Sequence, residues 1–305
     1  SPRACARARL KVTAMAPLRQ RMLGAMQLRG MAARTQEAYI EAVARLAQYH
    51  RCSPDALNAH QVQAYLLHLL NERKLSRSTV NQYGCAFRFL YIQVLERDRG
   101  VFQIPLAPAP QRLPEILSRQ EIAGLMAAAR HPKARTFFML AYGTGLRLSE
   151  LCHLRVADID SHSDRMCIRV EQGKGGKDRY VPMSADVLEV LRSWWRLAHP
   201  QEWLFFRAQT PNQPLNCITP QRWYQAARAQ ASITKRGGIH TLRHCYATHL
   251  LEAGLDLYSL QQWLGHNHIT TTTRYLHLAK PGAPDGARSN HPLALLSALP
   301  SLTPH

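Results

Sequence analysis

The chain has 305 residues, 46% of them hydrophobic, and its 39 Lys and Arg against 20 Asp and Glu give a net charge of +19. This length allows two domains, and the hydrophobic content excludes a largely disordered chain. The positive charge indicates a polyanionic partner, with nucleic acid as the first candidate; a basic protein kept soluble by its charge is the alternative. No apolar run reaches the ~18 residues that span a bilayer, so no membrane partner is expected.

The cysteines and the first residues bear on the compartment. Seven cysteines are scattered without a CxxC pair, which indicates neither a zinc ribbon nor a disulfide framework and fits a reducing cytoplasm. Residues 1–14 are arginine-rich and lack both an initiator Met and an apolar stretch. We expect them to be upstream read-through or a flexible arm, with translation starting at Met15, although a transit-like segment stays open.

Four helical patterns predict an all-helical first domain over residues 15–100. Apolar residues recur at helical spacing from 17 to 29, Thr35 is the expected cap of a second helix, a third covers about 58–73, and Ser78 is expected to open the fourth. Polar and basic side chains at the entrance of the fourth helix suit phosphate contacts. These candidates are Lys74, Arg77 and Asn81.

A proline-rich stretch separates this domain from the next. Four prolines fall within residues 105–114, and each fixes φ and removes a backbone donor. The composition predicts an extended linker over 101–113. The second domain is then expected over 114–283, followed by a tail over 284–305.

The second domain mixes helices with one small sheet. Ser118 and Glu121 form a predicted capping box, and helices are expected at about 118–129 and 133–142. Residues 156–182 predict a small sheet with a hairpin whose tip is the glycine-rich GKGGKDR. Further helical patterns cover 184–197, 219–230, 240–253 and 256–264.

Several basic side chains stand where this domain turns corners. Arg147 follows a GTG turn, and Lys174 lies at the hairpin tip. His240 and Arg243 are three residues apart, so they share one face in the first turn of a helix. His266 lies just beyond the end of another helix.

The segment ITTTTRYLH, residues 269–277, is unusual for a helix because four β-branched threonines favour coiling poorly. It carries Tyr275, which by default would be a packing aromatic. The alternative is a catalytic hydroxyl on a segment that does not form a rigid helix, with threonine hydroxyls that bind backbone or phosphate.

This set of side chains suits phosphoryl transfer. Two arginines can hold the non-bridging oxygens of a phosphate, where negative charge accumulates in the transition state. A tyrosine can be a covalent nucleophile, although only about one phenol in a thousand is ionised at neutral pH. A lysine or histidine can protonate the leaving alkoxide. Together these residues predict transesterification of a nucleic-acid backbone.

Cofactor-dependent chemistry is not expected. His240 and His244 are four residues apart, but no HExxH glutamate or third ligand at a suitable spacing accompanies them. GKGGK lacks the GxxxxGK[ST] pattern of an ATP-binding loop. We therefore predict no cofactor and no metal.

Four phrases, YGTGLRLSEL, GKGGKDRYVPM, HTLRHCYATHLLEAG and LGHNHITTTTRYLH, together resemble the tyrosine recombinase/integrase family, especially Xer-like and transposon-associated bacterial integrases. The resemblance extends over nearly the whole chain from about residue 17. It implies a mainly α fold with a small antiparallel β-sheet, made of an N-terminal helical (SAM-like) core-binding domain and a C-terminal mixed α/β tyrosine-recombinase catalytic domain. The stretch LALLSAL in the tail would be a subunit-exchange helix or a frayed end.

The resemblance also implies residue roles. Arg147 and Arg243 would bind the scissile phosphate, and Lys174, with Lys177 as the alternative, would protonate the leaving 5′ oxygen. His240 would assist the tyrosine as general acid/base, and His266 would hydrogen-bond the phosphate or the nucleophile. Tyr275 would be the nucleophile, and Glu150 would support Arg147. His244 would have a structural or indirect role. Lys177 and Arg179 would contact DNA.

The implied function is site-specific recombination of double-stranded DNA through a 3′-phosphotyrosyl intermediate, in integration, excision or resolution of a mobile element. The protein would be a monomer in solution and a tetramer on two DNA sites. Two other functions stay open: a type IB topoisomerase, and a DNA-binding accessory protein without catalysis.

Overall fold

The computed structural model describes residues 17–108, 113–171 and 178–279, which divide into two compact units, 1–111 and 112–305. The fold is mainly helical with one small antiparallel sheet, as the sequence predicts. Within the described ranges no helix combines the length and the apolar character needed to cross a membrane.

The first unit is a helical bundle. Helix α1 covers residues 17–27, and a short 3₁₀ turn, Pro54–Ala56, lies between the second and third helices. Their core contains Met22, Met26 and Leu46, all nearly inaccessible to solvent. The remaining helices are α2 (Ala33–His50), α3 (Ala59–Asn71) and α4 (Arg77–Arg88), the last continuing as a π-helix over Phe89–Val94.

Two predicted helix starts are wrong in this unit. The second helix begins at Ala33, ahead of Thr35, because the helix-forming Ala33 and Arg34 extend it by half a turn and Ala32 provides the first carbonyl acceptor. The fourth is capped by Ser76 and not by Ser78. The Ser76 hydroxyl accepts from the Thr79 amide, which places the cap three residues before its donor.

The first part of the proline-rich stretch packs on the first unit instead of running free of it. Phe102 and Ile104 are buried in the core of that unit, and the Phe102 ring stacks on Tyr91 with centroids 4.0 Å apart. Arg88 donates to the Ile104 carbonyl. Apolar side chains just before the first of these prolines, Pro105, thus continue the core beyond residue 100.

The second unit is built around two buried helices, α6 (Pro132–Thr144) and α10 (His240–Glu252). Phe137, Phe138 and Leu242 are inaccessible, so both helices lie in the interior. A hydrogen bond of 2.9 Å joins the Tyr142 hydroxyl to the His249 Nδ1 atom and links the two helices. This contact holds the C-terminal parts of α6 and α10 together in one core.

The remaining helices and the sheet surround this pair. The predicted capping box of α5 is present, with Ser118 and Glu121 each accepting from the other's backbone amide. The sheet has the order β1-β2-β3, and Ile168 pairs with Val181. These elements are α5 (Arg119–Ala128), α7 (Leu148–Cys152), β1 (Ile159–Asp160), β2 (Cys167–Val170), β3 (Arg179–Pro182), α8 (Ala185–Ala198), α9 (Ile218–Gln230), α11 (Leu257–Leu264) and α12 (Ile269–Thr272), followed by a 3₁₀ turn, Thr273–Tyr275.

Gly145 ends α6 in the left-handed conformation, with φ of +62°. A Cβ atom there would lie 2.3 Å from the Tyr246 ring. Gly254 is a matched control, because its φ of +90° is also positive while no atom lies within 4 Å of its would-be Cβ.

We therefore expect Gly145→Ala to lower the free energy of unfolding by about 2–4 kcal/mol, as it adds both backbone strain and overpacking. Gly254→Ala adds only the strain, about 1 kcal/mol. Denaturant unfolding of the two variants measures the difference, and equal losses would contradict the close packing of Tyr246 on Gly145.

Candidate active site

Three arginines converge on the C-terminal end of helix α11. Arg179 Nε donates to the Trp263 carbonyl at 3.0 Å, an Arg243 terminal nitrogen to Leu264 at 2.7 Å, and an Arg147 terminal nitrogen to Gly265 at 2.6 Å. The last carbonyls of a helix have no intrahelical donor and carry the negative end of its dipole. The end of α11 thus binds all three members of this arginine cluster (Arg147, Arg179 and Arg243).

Glu150 is the carboxylate that binds two of these arginines. Its oxygens accept from both terminal nitrogens of Arg179 at 2.9 and 2.7 Å, and from a terminal nitrogen and the backbone amide of Arg147, both at 2.7 Å. Burial alone would raise the pKa of Glu150, but the hydrogen bonds and charges of Arg179 and Arg147 lower it to about 2. Glu150 is therefore ionised at neutral pH.

Arg243 has the most enclosed guanidinium, and the residue is only 6% exposed. It donates to the carbonyl oxygen of Gly145, directly after α6, and to His266 Nε2 at 3.1 Å. Burial and the neighbouring Arg147 lower the pKa of Arg243 to about 10, so it stays protonated at neutral pH. The glycine turn that precedes Arg147 thus also holds Arg243 in place.

Tyr275 lies inside this site with 5% of its surface exposed. Its hydroxyl is 3.0 Å from His244 Nδ1. Burial raises the pKa of the phenol, while the positive charges of Arg243, Arg274 and Arg147 act in the opposite direction. The 3₁₀ turn Thr273–Tyr275 therefore presents a hydroxyl oxygen to a positively charged, largely desolvated environment.

His266 lies between the arginine cluster and the tyrosine segment. Its ring lies nearly parallel to that of Tyr275, with centroids 6.3 Å apart. Because Arg243 donates to Nε2, Nδ1 must carry the hydrogen, which it donates to the Thr272 hydroxyl at 2.8 Å. Burial and the three arginines lower the pKa of His266 to about 3, so the ring is neutral.

The four threonines have different environments. Thr272 is inaccessible and bonds to His266, and the Thr273 hydroxyl donates to the Thr270 carbonyl. Thr270 and Thr271 are exposed. The segment forms one α-helical turn followed by a 3₁₀ turn, and one of its hydroxyls orients a histidine at the site.

His240 stands at the first position of α10 with its side chain partly open to solvent. Burial of its inner side, together with Arg243 and Arg147, lowers the pKa of its ring. None of the described residues hydrogen-bonds to this ring. His240 therefore has both nitrogens free for a ligand at the mouth of the site.

The structure brings most of the predicted catalytic residues together. Arg147, His240, Arg243, His266 and Tyr275 meet in the second unit. Lys174 and Lys177 lie outside the described residues.

Three predicted DNA-contact residues have the following positions. Lys74 and Arg77 are exposed in the first unit. The side-chain amide of Asn81 donates to the Ala107 carbonyl at 2.7 Å, so this donor already has a partner within the protein.

Two residues differ from their predicted roles. Arg179 was expected to contact DNA, but its side chain is only 10% exposed and belongs to the arginine cluster. His244, expected to be structural or indirect, contacts the Tyr275 hydroxyl directly. The spacing of four residues from His240 already puts His244 on the same helical face, whereas nothing in the sequence indicates the internal partner of Arg179.

The site has surplus positive charge. Three guanidinium groups face one carboxylate, and the neighbouring histidines His244 and His266 have lowered pKa values that keep them neutral. Buried charge without a partner is costly, so such a site favours an anion. Among the described residues, no group of three or more His, Cys, Asp or Glu side chains is placed to hold a metal ion.

Glu150→Gln tests the role of the carboxylate. The folded-state pKa lies below the usual value of 4.5, so its contribution of about 3 kcal/mol is present above pH 4.5 and is lost as the pH falls toward 2. We expect the variant to unfold more easily by about this amount at pH 7, and by about half as much at pH 3.

Glu189→Gln on α8 is the matched control, since Glu189 pairs with Arg196 at the exposed surface. We expect this change to cost less than about 1 kcal/mol. Denaturant titrations across this pH range measure both variants, and a Glu150→Gln cost that does not depend on pH would contradict the assignment.

Models of known protein families match both units of the chain. The model of the phage integrase family matches residues 115–281, and that of the phage integrase N-terminal SAM-like domain matches residues 18–100. A putative integrase/recombinase of Sinorhizobium fredii is 39% identical over 266 residues, which cover 87% of this chain and 85% of that protein. A tyrosine recombinase of Thermosipho africanus is 33% identical over 213 residues, covering 68% and 72%, respectively.

Among solved structures, a lambda integrase dimer bound to a COC′ core site has a TM-score of 0.69 and 20% identity, covering 85% of this chain and 94% of that one. At this identity the likeness is one of fold. The family match covers more than half of the chain and includes every member of the arginine cluster and Tyr275. The chain therefore belongs to the phage integrase family and is a tyrosine-type site-specific recombinase that cleaves and rejoins DNA.

Proposed function

We propose that this recombinase cuts DNA by attack of the Tyr275 hydroxyl on a backbone phosphate, which forms a 3′-phosphotyrosyl bond and releases a 5′ hydroxyl. The observation that carries the proposal is the position of this hydroxyl, which is bonded to His244 and lies close enough to Arg243 and Arg147 for their charges to act on its pKa. A phosphodiester brings the negative charge that the cluster lacks.

The arginines of the cluster would have different roles. Arg147 and Arg243 would turn their remaining N–H donors to the non-bridging oxygens, where charge accumulates during attack. Each of the three side-chain nitrogens of Arg179 donates to Glu150 or Trp263, so its part is to hold Glu150 and the end of α11 in place. His240, open at the mouth of the site, would donate to the same phosphate.

The leaving 5′ oxygen needs a proton, and Lys174, in the sequence between β2 and β3, is our candidate, with Lys177 as the alternative. The phosphotyrosyl ester retains the energy of the broken bond, so a 5′ hydroxyl of another strand can attack it and regenerate the tyrosine without ATP.

Recognition of the duplex would involve both units. Lys74 and Arg77 of the SAM-like unit are exposed at the start of α4 and would contact phosphates. The net charge of +19 supports a strong electrostatic contribution to binding. We further propose that four copies act on two sites during integration, excision or resolution of a mobile element.

Tyr275→Phe tests the chemical step. With a nicked duplex that traps the cleaved strand, the unaltered protein should form a covalent adduct at Tyr275, and the variant should form none while binding DNA equally well. Gel separation and peptide mapping of the adduct measure both.

The control is Tyr258→Phe, since Tyr258 is 68% exposed on α11 and lies outside the site. It should react like the unaltered protein. An adduct at another residue, or tight binding with no adduct from the unaltered protein, would contradict the proposal; site-independent relaxation of supercoiled plasmid would favour a topoisomerase.

Thr272→Val tests the orientation of His266. Valine keeps the shape but removes the hydroxyl that accepts from Nδ1, which leaves a buried donor unpaired. We expect adduct formation to slow by about tenfold. Thr271→Val changes an exposed threonine next to it and should have little effect. Equal rates for the two variants would contradict the role of Thr272 in orienting His266.

A further inference from the structure

The nucleophile has one histidine in direct contact, and it is not the residue that the family resemblance assigns to proton transfer. His244 Nδ1 lies 3.0 Å from the Tyr275 hydroxyl. His244 is half-buried on α10, one helical turn after His240. A hydrogen bond of this length is within the range for direct proton transfer.

The other two histidines are placed for different tasks. Both ring nitrogens of His266 are occupied, Nε2 by Arg243 and Nδ1 by Thr272. His240 has no described hydrogen-bond partner and is open toward solvent. Among the described histidines, His244 alone has a ring nitrogen on the phenol.

We propose that His244 accepts the phenol proton of Tyr275 when the tyrosine attacks DNA, so that it is a catalytic residue of the reaction proposed above. This leaves His240 to bind the phosphate.

The proton balance of the step is simple. The phenol O–H bond breaks as the new bond between Tyr275 Oη and phosphorus forms, and the proton moves to His244 Nδ1. The bond between phosphorus and the 5′ oxygen breaks, and that oxygen receives a proton from a separate acid. In the rejoining step the incoming 5′ hydroxyl attacks phosphorus and gives its proton to the conjugate base of that separate acid. The bond between phosphorus and Tyr275 Oη breaks, and the departing phenolate takes its proton back from His244.

The surroundings of His244 keep its ring neutral, so that it can accept a proton. The titratable and charged groups that face it are His240 and Arg243 on its own helix, and Tyr275 and His266 from the segments packed against α10. Burial, His240 and Arg243 lower the pKa of His244 to about 4 in the DNA-free protein, so its ring is neutral. A bound phosphate would offset the charge of Arg243 and so make His244 a stronger base at the moment of attack.

Two asparagine variants separate His244 from His240. An asparagine can present a side-chain oxygen where Nδ1 stood, so it keeps an acceptor but cannot take a proton. With the nicked duplex, His244→Asn should slow adduct formation at pH 7 by about a hundredfold. The rate of this variant should then rise about tenfold per pH unit up to about pH 9, because the Tyr275 phenol must lose its proton to solvent before it attacks. His240→Asn should not acquire this rise.

A substrate with sulfur at the 5′ bridging position shows which proton is affected. Its thiolate leaving group needs no acid, so the defect of Lys174→Ala should largely disappear, whereas that of His244→Asn should remain. DNA binding and the melting temperature of each variant control for folding. A His244→Asn rate within threefold of the unaltered protein, or a rise with pH in His240→Asn instead, would overturn the assignment.

A second measurement avoids changing His244. In ¹⁵N NMR of histidine-labelled protein, His244 Nδ1 should show an accepted hydrogen bond that disappears in Tyr275→Phe. An Nδ1 signal that is the same in both proteins would also overturn the role of His244. Failure of the proposed function is distinguishable, because the unaltered protein would then form no adduct at Tyr275. An adduct at Tyr275 with unaffected His244 variants would remove only the role of His244.

Discussion

Three guanidinium groups donate to three consecutive carbonyl oxygens at the end of α11, and the other contacts of the site are arranged around this interaction. The carbonyls of Trp263, Leu264 and Gly265 have no helical donors of their own, so the arginines complete the helix while the helix fixes the arginines. Glu150 joins Arg147 to Arg179 on the other side. Side chains from α7, β3 and α10 are thereby held in one place.

Burial, together with the same charges, determines the protonation states of the histidines. Burial and nearby arginines lower the pKa values of His244 and His266, which leaves neutral rings next to permanent cations. A neutral ring can accept a proton or a hydrogen bond, whereas an imidazolium could only donate. In the proposed reaction, the arginine cluster would attract the anionic substrate, and the neutral ring of His244 would serve as the base for Tyr275.

Much of the fold follows from the sequence, because helical spacing, the Ser118 capping box and the glycine-rich hairpin are local signals. The π-helix after Arg88 and the burial of Phe102 and Ile104 depend on packing that the local pattern does not reveal. At the site, Arg147, Arg243 and Tyr275 could be predicted from their motifs. The pairing of Arg179 with Glu150 could not, since residues 29 apart meet only after the sheet packs on α7 and α11.

A structure of the Tyr275→Phe protein on intact target DNA would test most directly whether the arginine cluster binds the scissile phosphate. The charge arrangement predicts that the scissile phosphate lies in the arginine cluster, with Arg147 and Arg243 each donating to a non-bridging oxygen while Arg179 stays on Glu150. A phosphate bound away from these two arginines, with the cluster unoccupied in the complex, would contradict it.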